Sequence, residues 1–214
     1  DGPGLRARWG IPADAPLALY TGTFEAYQGL DMLIEAAARL ATTHPHARVL
    51  VVGGEPAQVE AAKARAEAAG AAGVMVFTGQ QPAREIPGYV AACDVLVSPR
   101  IRGTNTPLKI YSYLRSGKPI VATDLLTHTQ VLSSDVARLV PPEPAPFAAA
   151  VAALFDDAEE RRRLGEAARA LAEAKYSRAV YLTRTAEACA RLMGRAGGSG
   201  GASEARGVEA VAER

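Results

Sequence analysis

Arg100, Arg102, Lys109 and the hydroxyl of Thr106 crowd into the first half of residues 98–123, SPRIRGTNTPLKIYSYLRSGKPIVAT. An apolar run over residues 94–97 ends in Ser98-Pro99, and a polar loop with Arg100, Arg102, Gly103, Thr104 and Asn105 follows. Thr106-Pro107 then opens a helix-compatible segment over residues 108–116. The order is strand, loop, helix N-terminus. The first turn of a helix leaves backbone N–H groups without intrahelical partners at the positive end of the macrodipole, so an anion is stabilised there. Arg100 and Lys109 add full charges, and Thr106 adds a hydroxyl donor. The chemistry expected of this stretch is binding the diphosphate of a nucleotide. A plainer reading of the same residues stays open, with Arg100 and Lys109 as solvated rim charges and Thr106 as a helix cap.

Positioning such a loop requires a sheet, and the rest of the chain supplies the pattern of one. Short apolar runs at residues 17–20, 48–52, 74–78, 95–97, 118–123 and 137–140 alternate with segments of helical spacing, the clearest being Leu30, Leu33, Ile34, Ala37 and Leu40. Strands that are apolar throughout, separated by helices, indicate a parallel sheet covered on both faces. The fold class is α/β, a doubly wound parallel sheet followed by C-terminal helices at residues 147–155, 159–176 and 179–193, expected to pack at the sheet edge. In such sheets ligands sit beyond the carboxyl ends of the strands. The loops there are polar or glycine-rich: residues 22–25, 53–55, 79–81, 100–106 and 124–129.

Composition narrows the partners. Of 214 residues 49% are hydrophobic, enough for a substantial core, and 24 Lys+Arg against 23 Asp+Glu give no bulk field that would call for nucleic acid or an acidic membrane. Cys93 and Cys189 lie far apart without a CxxC pair or histidine cluster, so both are expected as buried thiols and no metal site is expected. His44 and His46 flank Pro45 at the wrong end of the sheet, whereas His128 lies on the ligand rim, where a capping or loop role is favoured. No apolar run is long enough to span a bilayer and no leader pattern opens the chain, so a cytoplasmic location is expected. The start, Asp1-Gly-Pro-Gly, lacks an initiator methionine and reads as part of a longer protein, with residues 1–16 a linker or interdomain segment. Residues 194–214, glycine-rich and without aromatics, are expected to be disordered. G-x-G-x-x-G and Walker A motifs are both absent.

The succession YTGTFEAYQGLDMLIEAA, RVLVVGG, VFTGQQPAREIPGYVAACDVLVSP and TPLKIYSYLRSGKPIVAT resembles the C-terminal, donor-binding domain of GT-B retaining glycosyltransferases of the family 4, or glycosyl transferases group 1, type. The resemblance covers residues 17–193. It implies a Rossmann-like half of a two-domain enzyme that transfers a sugar from a nucleoside diphosphate sugar to an acceptor hydroxyl with retention. The acceptor, and any peripheral association with a membrane, would belong to an N-terminal half. No metal or other cofactor is implied. Gly22, Thr23 and Gln28 stand where the family has a Gly-Arg pair and a lysine that contact the donor phosphates, so both charges are absent here. Thr104 and Ser112 stand where the family has two glutamates that contact sugar and ribose, and Gln130 replaces a further glutamate. The base is expected near Gly79, Gln80, Gln81 and Ile86. Together with Gly103, Asn105, Thr106 and Arg100, these residues form the expected donor site, and Lys109 and Arg100 are the expected stabilisers of the leaving diphosphate. Two rival readings remain: a nucleotide-binding domain without catalysis, and a nucleotide-sugar epimerase that would use His128.

Overall fold

A computed structural model describes residues 2–198. Among them six strands form one parallel sheet: β1 (Leu17–Thr21), β2 (Arg48–Val52), β3 (Met75–Gly79), β4 (Val95–Ser98), β5 (Ile120–Thr123) and β6 (Arg138–Val140), in the order β3-β2-β1-β4-β5-β6. Leu17 pairs with Arg48 and Thr21 with Val52, while on the other side of β1, Ala18 and Leu19 pair with Val95 and Leu96. The chain therefore winds outward from β1 in one direction, then crosses to β4 and winds outward in the other. The doubly wound α/β sheet expected from the alternating pattern is present, with a crevice where the strand order reverses.

The pleat sends alternate side chains to opposite faces, and each face has its helices. Ala18, Tyr20, Val49, Val51, Val95, Val97 and Val121 join one core with the buried residues of α2 (Leu30–Thr43) and α7 (Pro144–Asp156) and with Ala62 and Ala66 of α3 (Pro56–Ala68). Their neighbours Leu17, Leu19, Leu50, Leu96 and Ile120 are equally inaccessible. Helices α1 (Gly2–Arg8), α4 (Ile86–Ala92) and α5 (Lys109–Ser116) form a second contiguous group, tied to β1 where the Tyr113 hydroxyl meets the Thr21 backbone N–H at 3.1 Å. Fully burying one such leucine stabilises the fold by about 2 kcal/mol, so both faces contribute to holding the sheet.

The leading segment, expected as a linker, is an ordered part of this fold. The Arg6 guanidinium donates to the Ala92 and Ala15 carbonyls at 2.9 and 2.6 Å and pairs with Asp94 at 3.0 Å. Asp94 in turn accepts the Leu17 N–H at 2.9 Å, so one carboxylate joins α1 to the start of β1. Of the C-terminal helices, α7 lies against β4, β5 and β6. Next comes α8 (Ala158–Tyr176), which buries Leu164, Gly165, Ala168 and Ala172. The chain divides into two compact units, 1–173 and 174–214. In the second, α9 (Arg178–Gly198) is capped by the Ser177 hydroxyl, which accepts the Val180 N–H. Cys189 on α9 is exposed, against expectation, because the residues around it on that helix are exposed too, whereas Cys93 is buried as expected. Of the tail expected to be disordered, residues 199–214 lie outside the described residues.

One backbone feature joins the loops after β1 and β4. Gly29 has φ 75° and closes the short turn at Ala26–Gln28, and a Cβ there would collide with the Pro99 carbonyl. The Tyr27 carbonyl accepts the Ile101 N–H at 3.0 Å beside it. A Gly29→Ala change combines a left-handed backbone with a backbone clash, and is expected to lower unfolding free energy by about 3 kcal/mol, read from urea denaturation midpoints at constant slope.

Candidate functional site

At the carboxyl ends of β1, β2, β3 and β4 the connecting loops border an open cavity of about 580 Å³, within the range of small-molecule sites. It lies at the strand-order reversal. Gly22, Thr23, Gln28, Gln81, Arg100, Asn105 and Lys109, each named from the sequence as a candidate, line it together with Gln80 and Ile86. Gly22, Gly53 and Gly54 give it a side-chain-free floor, and Leu108, 83% exposed, stands at its edge.

Lys109 begins α5 and sends its ammonium back over β1. Nζ donates to the Thr21 carbonyl at 3.0 Å and lies 4.2 Å from the centre of the Tyr20 ring. Burial, reinforced by the positive charge of Arg100, pulls its pKa down to about 7. An anion arriving in the cavity would reverse that shift. Both cations border the cavity, and its lining contains no carboxylate.

Arg100 is buried and spends much of its fork on its own loop. Nε donates to the Arg102 carbonyl, Nη1 to the Asn105 carbonyl and Nη2 to Asn105 Oδ1, each at 3.0 Å, while the guanidinium stacks on Tyr27 at 4.8 Å. The solvated-rim reading of Arg100 is therefore overturned by its position. Tyr27 gave no sequence signal beyond being an aromatic in a polar loop.

Four expected site residues do not line the cavity. The helix starts at Lys109, with Leu108 at the cap position in helical backbone and without a side-chain cap, so Thr106 lies ahead of the first turn and neither caps it nor lines the cavity. Ser112 is exposed because α5 buries Ile110, Tyr113 and Leu114, which places residue 112 on the other side of the helix. Thr104 is exposed and offers its carbonyl to Gln130 Nε2 at 2.6 Å. Gly103 has φ 130° and faces the Arg100 guanidinium, which a Cβ would approach to 2.8 Å, so its glycine serves the fork. The two positions where the resemblance calls for glutamate thus sit outside the cavity walls.

His128 is fully buried in α6 (Leu126–Thr129), not a loop or capping residue at the rim. Nδ1 lies 2.9 Å from the Thr123 carbonyl, which can only accept, so Nδ1 carries the proton and Nε2 accepts from Ser98 Oγ at 2.8 Å. The Thr123 hydroxyl donates to the Arg100 carbonyl, so this network fixes the root of the Arg100 loop. Burial outweighs the Thr123 contact and holds the imidazole down at about 4. That removes the residue on which an epimerase would depend. His44 bonds Thr43 and Asp156 and lies away from the cavity. Among the described residues no cluster of His, Cys, Asp or Glu could hold a metal, and no helix is long and apolar enough to cross a membrane.

Two predictions follow from these side chains. Unfolded His128 titrates near 6.5 but folded near 4, so its contribution is complete above pH 6.5 and is lost as pH falls to 4. The loss is about 3 kcal/mol, and a His128→Gln variant should show a flatter stability profile over that window in chemical denaturation. Gln28 Oε1 is buried without a hydrogen-bond partner. Gln28→Met should therefore raise the thermal midpoint while weakening ligand binding, because an orphaned acceptor costs about 1–3 kcal/mol until a ligand supplies a donor.

The chain is similar in sequence and in fold to known proteins. The model of the family described as glycosyl transferases group 1 matches residues 3–171. Alpha-D-kanosaminyltransferase of Streptomyces kanamyceticus is 32% identical over 178 residues, covering 81% of this chain and 45% of that protein. Among solved structures, Anabaena HepE in complex with UDP superposes with TM-score 0.79 at 21% identity, over 88% of this chain and 52% of that one. The C-terminal domain of a glycosyl transferase group 1 protein from Francisella tularensis gives TM-score 0.71 at 18% identity, over 83% and 94%. The chain spans about half the length of the curated relatives it matches.

Proposed function

This chain belongs to the glycosyl transferases group 1 family, and from that we propose that residues 17–193 are the donor-binding half of a hexosyltransferase that uses a nucleoside diphosphate sugar. The observation that carries the reading is the cavity at the strand reversal, bordered by Arg100 and Lys109 and lined by no carboxylate. A diphosphate is the ligand such a site suits. The kanosaminyl- and mannosyltransferase names of its relatives, and the UDP bound to HepE, support the same substrate class.

The sugar passes to an acceptor hydroxyl with retention at the anomeric carbon, and an N-terminal half supplies the acceptor site. The cavity lining offers no carboxylate that could act as a nucleophile. Its contribution is electrostatic. As the glycosidic bond breaks, negative charge grows on the leaving diphosphate, and the positive charges of Lys109 and Arg100 border the space it would occupy. In this reading, cationic side chains meet the charge without a metal ion.

The Lys109 ammonium is the form that binds. With its free pKa near 7, affinity for UDP-glucose or GDP-mannose should be level below pH 7 and then fall by roughly tenfold per unit above it, as each binding event must first recruit a proton. Lys109→Met should flatten that profile and weaken binding by about tenfold or more, the size of a charge-assisted contact. Titration calorimetry between pH 6 and 9 reads both. A pH-independent affinity that is unchanged in the variant would sink the assignment.

A further inference from the structure

We propose that Asn105 contacts the bound nucleotide sugar directly, donating its side-chain N–H to an acceptor oxygen of the ligand, and that Arg100 is the positioning residue that aims it. The inference rests on the nucleotide-sugar reading and deepens it. An asparagine amide ordinarily has two orientations, with oxygen and nitrogen interchangeable in shape. Here the ambiguity is removed. Arg100 has only donors, and Nη2 lies 3.0 Å from Oδ1 of Asn105, so the oxygen faces the guanidinium and the amide nitrogen is turned away from it.

The backbone of Asn105 is fixed as firmly as its side chain. Its carbonyl accepts both Arg100 Nη1 at 3.0 Å and the Thr127 hydroxyl at 2.7 Å. Arg100 is in turn buried, stacked on Tyr27 and held through its carbonyl by Thr123. Among the described residues the amide nitrogen of Asn105 has no hydrogen-bond partner; the residue is solvent-exposed and lines the cavity that Lys109 also lines, so this donor is free to exchange water for a ligand oxygen. An oriented donor without a partner, at the wall of an anion site, is what a ligand oxygen requires.

The acceptor oxygen belongs either to the diphosphate or to the transferred sugar, and two ligands separate these. Calorimetry of the 214-residue chain with UDP-glucose and with UDP is the experiment. Asn105→Ala should lower UDP-glucose affinity about tenfold. Arg100→Lys keeps the charge but loses the fork, and should cost about the same. The double variant should be no weaker than either single, since both changes remove one interaction. Independent losses that multiply, or an Arg100→Lys variant that binds like wild type, would overturn the proposal. Asn105→Asp keeps an oxygen for Arg100 while deleting the donor. It should retain the wild-type thermal midpoint yet bind at least tenfold more weakly, whereas wild-type affinity would overturn the proposal. Equal losses for UDP and UDP-glucose place the oxygen on the diphosphate, and a loss confined to UDP-glucose places it on the sugar. If the wild-type chain binds neither UDP-glucose nor GDP-mannose, the donor-site reading falls and this proposal falls with it. If it binds but the variants match it, only this proposal does.

Discussion

A half-buried ammonium with a carbonyl and an aromatic face for company, and no carboxylate, is an unstable arrangement unless something later arrives to share it. Lys109 is in that position, 3.0 Å from the Thr21 carbonyl and above the Tyr20 ring. Desolvation alone would favour the neutral amine, and Arg100 pushes the same way. The sheet can hold such a group because the cost is local, about the size of a few hydrogen bonds, while β1 and β4 bury every residue of their length. Stability is thus collected along the strands and part of it is given up at their carboxyl ends, where the ligand is met.

The strands, the helices between them and the rim of loops were legible in the sequence because they depend on periodicity. Four uninterrupted apolar residues, 17–20, require cover on both faces, and helical spacing from Leu30 to Leu40 supplies some of it. The cavity residues were partly legible for the same reason: Gly22 and Arg100 closely follow strand ends, and Gln28 and Lys109 lie where the chain leads from those strands into the next helices. Individual roles were not. No spacing rule shows that Arg100 would turn back onto its own loop, because that depends on where Asn105 and Tyr27 sit in three dimensions. Nor does the sequence show that α5 begins at Lys109, leaving Thr106 outside, since Leu108 is already in helical conformation without any capping side chain.

The positions of Thr104 and Ser112 illustrate a further limit. By resemblance each is a place where a carboxylate contacts the donor, which makes their neutral side chains look like a defect. In the folded chain both are exposed and neither borders the cavity. Their polarity therefore bears little on the field inside, which is set by Lys109 and Arg100. His128 errs in the other direction: a histidine on a ligand rim looks available for chemistry, yet its two nitrogens are taken by Thr123 and Ser98 in the interior.

The close approach of Gly29 to the Pro99 carbonyl, with the Tyr27 carbonyl accepting the Ile101 N–H alongside, makes the loop after β1 and the loop after β4 a single mechanical part. Seventy residues of chain separate them, yet each is held against the other. For anyone exchanging specificity between related domains, the unit of transplantation is consequently the pair. A loop moved alone would arrive without the surface against which it was cast, and the cations it carries would arrive without their aim.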